Sequence, residues 1–192
     1  MKRVELTLIA GSLMGIALNL ANLPSGVSLS VLATGSLAFF YLYFSFALFN
    51  NIRFRNLFKK SSYSGIKALR IMGSVVTGFV LTLLVVGIIF KTLMWPGASL
   101  MCIAALPPTL LVSIVTLVRY LPHRDGFYEP ILWRLVIYSS IVVGLLNLPP
   151  YSLWKIKYRD HPAYIQAYKD MKEHPGDTAY ENAMLRERAK TK

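Results

Sequence analysis

Lys91, Asn19, Asn22 and Asn147 are the side chains whose type and position invite a chemical reading, because each stands toward one end of a long apolar run. An amine and three amides at a common depth can hydrogen-bond between helices. In lipid such bonds are worth about 0.6–2 kcal/mol each, enough to fix packing. Lys91 could also hold an anionic lipid headgroup or a partner's carboxylate, since charge in apolar surroundings is costly and usually paired. His161 and His174 each precede a proline and have no Cys or Glu at zinc-ligand spacing, so they read as surface residues flanking helices, with no metal. Cys102 is the single cysteine and lies within an apolar run, where it reads as a small buried hydrophobe. No glycine-rich phosphate loop, nucleophile elbow or His-Glu-x-x-His pattern occurs, so the expectation is a non-enzyme without a cofactor.

The elements that must position these residues are long and apolar. Of the 192 residues, 55% are hydrophobic and 16% charged, and most of the charges lie in loops and the carboxyl-terminal region. Five runs are each close to the ~20 helical residues that cross ~30 Å of hydrocarbon. They fall at about residues 5–23, 28–50, 71–93, 99–119 and 131–148. The expected fold is therefore all-α: a polytopic helical membrane protein of five spans, or alternatively four, arranged as two hairpins plus one. Residues 1–150 form this membrane part and 151–192 a polar helical tail.

A net charge of +12 on a soluble domain would suggest nucleic acid, but here the bilayer accounts for it. Arg53, Arg55, Lys59, Lys60, Lys67 and Arg70 share one loop with no acidic residue, the pattern that keeps a loop cytoplasmic. From that anchor, alternation places the amino terminus (Lys2, Arg3) and loops 51–70 and 120–130 in the cytoplasm of a bacterial cell, and the turns at 23–27 and 95–98 outside its cytoplasmic membrane. The first run reads as an uncleaved helix, because Asn19 occupies the position three before Ala21 where a cleavage site needs a small residue. The fifth run begins near Arg134 and stops at Pro149-Pro150. If it crosses, the tail is periplasmic. Lys155, Lys157 and Arg159 pull the other way, so the alternative is four spans plus an interfacial or re-entrant fifth segment.

The two outer hairpins resemble each other. Gly15-Ile16 precedes Pro24 as Gly87-Ile88 precedes Pro96, and after a one-residue gap Ser28-Leu29 matches Ser99-Leu100, Ala33 matches Ala104 and Arg53 matches Arg124. Both units enter the membrane from the same side, so this is a parallel repeat. Gly11 with Gly15, and Gly73 with Gly78, predict close helix approach, within the chain or to another subunit. Pro107-Pro108 should bend or interrupt the fourth helix. Span two carries Phe39, Phe40, Tyr41, Tyr43, Phe44, Phe46 and Phe49, which surround the helix, so some of them must face lipid or a partner.

The string Gly87-Ile88-Ile89-Phe90-Lys91-Thr92-Leu93-Met94-Trp95-Pro96-Gly97-Ala98 resembles, over about residues 79–118, the transmembrane hairpin of the L subunit of the gliding-motility and type IX secretion motor, and of small bacterial membrane proteins sharing that hairpin. In that pattern a Phe-Lys pair leads to His-Trp-Pro-Gly-Ala, with Met94 here in the histidine's place. The resemblance implies a glutamate in the second helix that takes part in proton-driven rotation, but the matching position is Thr109. What carries over is the hairpin shape and not the motor. Independently of the family, Trp95 suits the headgroup region, Pro96 and Gly97 permit a tight reversal, and Lys91 can snorkel toward water.

In the tail, Ala163–Glu173 and Thr178–Lys190 read as two short helices, the second capped by Asp177. Tyr164, Tyr168, Tyr180 and Met184 are its docking residues. The expected function is a structural or accessory subunit of a bacterial envelope assembly, with the lipid bilayer and other membrane-protein subunits as partners and no nucleic acid. The alternative is a small transporter or channel built on the duplicated hairpin, with Lys91, Pro107 and Pro108 on its path.

Overall fold

The computed structural model describes residues 1–123, 125–149 and 151–190, so Arg124 and Pro150 lie outside the described residues. Five helices are long and apolar enough to cross a membrane: α1 (Lys2–Leu20), α2 (Gly26–Phe49), α3 (Ala68–Thr92), α4 (Ala98–His123) and α5 (Glu129–Asn147). Three shorter helices follow, α6 (Ser152–Lys157), α7 (Pro162–Glu173) and α8 (Thr178–Ala189). The fold is all-α and membrane-embedded, with each span within a few residues of its expected bounds. α6 and the two 3-10 turns, Phe54–Asn56 and Lys60–Tyr63, are additions that the sequence reading missed.

α3 is the central helix. It packs on α2, α4 and α5, while α1 packs on α2. Val80, Leu81, Leu84 and Val85 are buried on α3 and meet Leu37 and Tyr41 of α2, Cys102 and Ala105 of α4, and Leu135 and Val142 of α5 in one core. Cys102 is buried and its thiol donates to Gly87 O, so it does pack as a small core residue. Of the aromatic set on α2, Phe40, Tyr41 and Phe49 are buried, whereas Phe39 and Tyr43 form an exposed ring pair with centroids 4.4 Å apart.

Close approach between α1, α2 and α3 depends on glycine. A Cβ on Gly15 would stand 2.6 Å from Ser30 N and 2.8 Å from Leu29 C, so α1 and α2 run almost backbone to backbone. Gly11 faces Ala33 on the same seam, and Gly78 of α3 faces Ser45 and Tyr41 O of α2. These glycines serve contacts within the chain. Gly73 does not, since nothing lies within 4 Å of where its Cβ would be.

The hairpin repeat is exact in its turns, and its register is ungapped. α1 ends at Leu20 and α3 at Thr92, while α2 begins at Gly26 and α4 at Ala98, each pair 72 positions apart. Asn22 and Met94 both adopt positive φ (54° and 58°), as do Ser25 and Gly97 (68° and 77°). The turn hydrogen bonds correspond one for one: Leu23 N to Leu18 O matches Trp95 N to Phe90 O, and Gly26 N to Leu23 O matches Ala98 N to Trp95 O. The contact of Gly15 with Ser30 likewise matches that of Gly87 with Cys102. The one-residue gap inferred from matching side chains is therefore corrected: local backbone geometry, which two different turn sequences can satisfy, keeps the register that sparse identities misplace.

α4 also departs from expectation. Pro107 and Pro108 lie inside a helix that continues without interruption to His123, so the double proline does not break it. A proline removes one donor and crowds one preceding carbonyl, and a helix of 26 residues packed on α3 and α5 has enough other bonds to continue through.

Gly15→Ala should overpack the α1–α2 seam by about 1–3 kcal/mol, since the new methyl meets backbone that cannot move aside. Gly73→Ala, with open space around it, should leave stability unchanged or slightly raised. Thermal melts of both variants in the same detergent check the pair. Equal midpoints would mean that the seam is not closely packed.

Candidate functional site

Polar groups gather at the two ends of the bundle. The end formed by the 21–25 and 93–97 turns is called here the hairpin end, and the opposite one the amino-terminal end.

At the hairpin end Asn19 is buried and bridges three elements. Its Nδ2 donates to Thr92 O of α3 at 3.1 Å, and its Oδ1 accepts from Lys157 Nζ of α6 at 2.8 Å. The amide thus ties the two hairpins together and fastens the tail to them. Lys91, the residue equivalent to Asn19 in the second hairpin, is half-buried and donates to Ser99 Oγ at 3.0 Å. Trp95 packs edge-on against Phe90, with ring centroids 5.0 Å apart, and Pro96 and Gly97 complete the reversal.

The other sequence candidates do not join this group. Asn22 is exposed and occupies the left-handed turn position, a conformation that asparagine tolerates. Asn147 is exposed and donates to Val143 O of its own helix. Pro107 and Pro108 are about 15 Å along α4 from its start, taking 1.5 Å per residue. These placements correct the expectation of one depth-matched polar set, because depth along a helix does not determine which side of the helix a residue occupies.

α6 carries Trp154, and around it the tail builds an aromatic cluster. Trp154 stacks on Tyr168 at 4.1 Å and on Tyr158 at 5.4 Å, and Tyr164 lies 5.7 Å away and is buried. Burial raises the phenol pKa values of Tyr158, Tyr164 and Tyr168. It also lowers that of Lys157, with the Arg188 charge acting in the same direction. Tyr164 and Tyr168 thus pack on other residues of the tail, as Tyr180 does, and with Met184, Trp154 and Trp95 they line a cavity of about 430 Å³. Tyr180 stacks on His174, centroids 4.3 Å apart. Asp177 caps α8 by accepting from Ala179 N. Trp154 and Lys157 were missed in the sequence; the spacing of Tyr151, Trp154 and Tyr158 at helical intervals was the signal available.

The amino-terminal end holds the larger surprise. Glu5 is buried and pairs with Arg134 across α1 and α5, through Nε to Oε1 at 2.6 Å and Nη2 to Oε2 at 2.5 Å. Tyr41 of α2 donates to Glu5 Oε1 at 2.7 Å. Its single hydroxyl hydrogen being so used, the 3.0 Å contact with Tyr138 places that residue as donor to Tyr41. Arg134 Nη1 donates to Pro130 O, and the guanidinium lies over the Phe49 ring at 5.4 Å. A network of four side chains from three helices thus extends about 12 Å in from the end of α2. Glu5 and Arg134 were each visible at the edge of a run, but their pairing joins residues 129 positions apart, which no local pattern encodes.

At Thr109, where the resembled family has its acid, the hydroxyl is buried and donates back to Ala105 O at 2.6 Å. Among the described residues no three His, Cys, Asp or Glu side chains converge on a metal-sized space. No family model, curated protein or solved structure matches this chain.

Removing one partner of the Glu5–Arg134 pair leaves a buried, unanswered charge, so Arg134→Leu or Glu5→Leu should each cost about 3–5 kcal/mol. The double variant should recover much of that loss. Unfolding of the three variants and the parent in mixed micelles measures the coupling; additive losses would mean that the pair does not act as a unit.

Proposed function

We propose that this chain is a structural or accessory subunit of a bacterial envelope assembly, embedded in the cytoplasmic membrane with its amino-terminal end in the cytoplasm. The observation that carries the reading is the outer face of α5. Ser140, Gly144 and Asn147 are exposed there at helical spacing, alongside Trp133 and Ile137. A Ser-x-x-x-Gly step gains nothing from facing lipid and permits close approach of another helix. α5 lies at the periphery of the bundle, against α3 and α4 alone among the long helices with extensive contact, so this face is available to a second membrane protein.

The interior supports the same role. Glu5, buried in the first span, is held bidentate by Arg134, so its contacts tie helices of this chain together. Between the two polar ends the axis is filled by Leu81, Leu84, Leu135 and Val142, all fully buried. The hairpin resembling the motor subunit contributes shape to this reading, with Thr109 in a hydrogen-bonded helical position instead of an acid. Orientation rests on the six basic residues of the 51–70 loop, which lie at the amino-terminal end with Lys2 and Arg3. With five crossings the tail is then periplasmic.

The second reading, a small transporter, draws on the matched hairpins and on the cavity beside Lys91. Isolation of the tagged protein from its native membrane in mild detergent separates the two. The subunit reading expects a heterologous membrane protein in stoichiometric amount, lost from the Gly144→Leu variant and retained by Gly73→Leu. A clean homo-oligomer without such a companion would overturn it and favour flux assays.

A further inference from the structure

Around Lys91 the hairpin end opens a cavity of about 600 Å³. One wall is the second turn and the start of α4, from Met94 to Leu100; the facing wall is formed by Tyr151, Trp154, Tyr168 and Lys172 of the tail. Lys91 gives one ammonium hydrogen to Ser99, and Lys172 lies near the Tyr168 ring at 5.8 Å. No Asp or Glu lines the space, and among the described residues neither lysine enters an ion pair. Two like charges beside one low-polarity cavity repel each other, and an anion between them removes that cost.

The setting selects the kind of anion. Trp95, Trp154 and Tyr168 are the ring types that collect at the headgroup level of a bilayer, and they border the cavity. On its lower side Leu100 and Leu148 lead onto the exposed apolar surfaces of α4 and α5, where Ile103 and Val143 also stand uncovered. A free phosphate would satisfy the lysines but leave that apolar margin unused. A molecule with an anionic head and two long apolar chains uses both.

We propose that this cavity binds an anionic glycerophospholipid, with Lys91 and Lys172 on the headgroup phosphate, the rings of Trp95 and Trp154 at the glycerol level, and the acyl chains along α4 and α5. The tail then has a second role besides docking, since it supplies half of the headgroup site. The headgroup site is built from residues other than those of the α5 face proposed for a partner, so either can fail without the other.

Native mass spectrometry of the full chain in mild detergent, titrated with phosphatidylglycerol or with phosphatidylcholine of the same chains, tests the assignment. Phosphatidylglycerol should bind about tenfold more tightly, and Lys91→Gln and Lys172→Gln should each reduce its affinity about tenfold. Lys91→Arg should keep the preference, which a purely structural role for the Lys91–Ser99 bond does not require, and Lys2→Gln at the other end should change nothing. Equal binding of the two lipids, or a preference untouched by both Gln variants, would overturn the proposal. Displacement of the lipid by excess inorganic phosphate would also overturn it, identifying a site for a soluble anion instead.

Discussion

Lipid offers no hydrogen-bond partner, so a polar group carried into the five long helices finds one within the protein or goes without, as the buried hydroxyls of Ser30, Thr34 and Ser45 on α2 do, and the arrangement of the bundle reflects this constraint. Helices satisfy their own backbones. Side chains do not, and the charged ones with their partners are sorted to the two ends: Glu5, Tyr41, Arg134 and Tyr138 at one, Asn19 with Lys157 and Lys91 with Ser99 at the other. Thr77, Thr92, Thr109 and Thr116, which lie between or beside them, bond back to carbonyls of their own helices and need no partner. Close backbone approach at Gly15 and Gly78 then lets the apolar middle pack, with Thr82 of α3 donating to Ala38 O of α2 there.

What could be read from the sequence was whatever repeats at short range. Apolar run length gave all five spans, Asp177 gave the α8 cap, and Pro96-Gly97 gave the second turn. What could not be read was anything fixed by the direction in which a side chain points. Asn147 and Asn19 sit at similar depth, yet one faces outward to its own helix and the other inward to α3 and α6. Glu5 looked like a membrane-edge charge until α5 brought Arg134 against it, because the partner is set by how α2 and α5 pack on α3, with α1 on α2, and not by spacing along the chain. The same limit applied to the glycines: Gly73 and Gly78 share a run, but five positions rotate a helix by more than a full turn, leaving Gly78 against α2 and Gly73 outside.

The Glu5 network also bears on what kind of membrane protein this is. A carboxylate that carries protons needs two accessible states of similar free energy. One held by a guanidinium fork and by a phenol has its contacts inside the protein, where they join helices. The pair instead joins the first and last long helices through α2, which closes the bundle at that end. Specific closure of this kind suits a component that must present fixed outer faces, such as the Ser140–Gly144 face of α5.

The two hairpins, identical in turn geometry, have been put to different use, and the difference is concentrated at one pair of equivalent positions. In the first hairpin the inner position is Asn19, whose amide is filled on both sides, by Thr92 and by Lys157. In the second it is Lys91, whose ammonium has a single hydroxyl partner and faces open space. A short neutral amide is bonded at its nitrogen by a backbone carbonyl and at its oxygen by a tail lysine, so that end of the repeat is closed. A long cation at the equivalent site reaches past its own turn to the rim, and the tail, having anchored itself on Asn19, extends Trp154, Tyr168 and Lys172 over that rim. The asymmetry that makes one hairpin an anchor and the other a cavity wall therefore follows from one residue type, on a backbone that the two halves share.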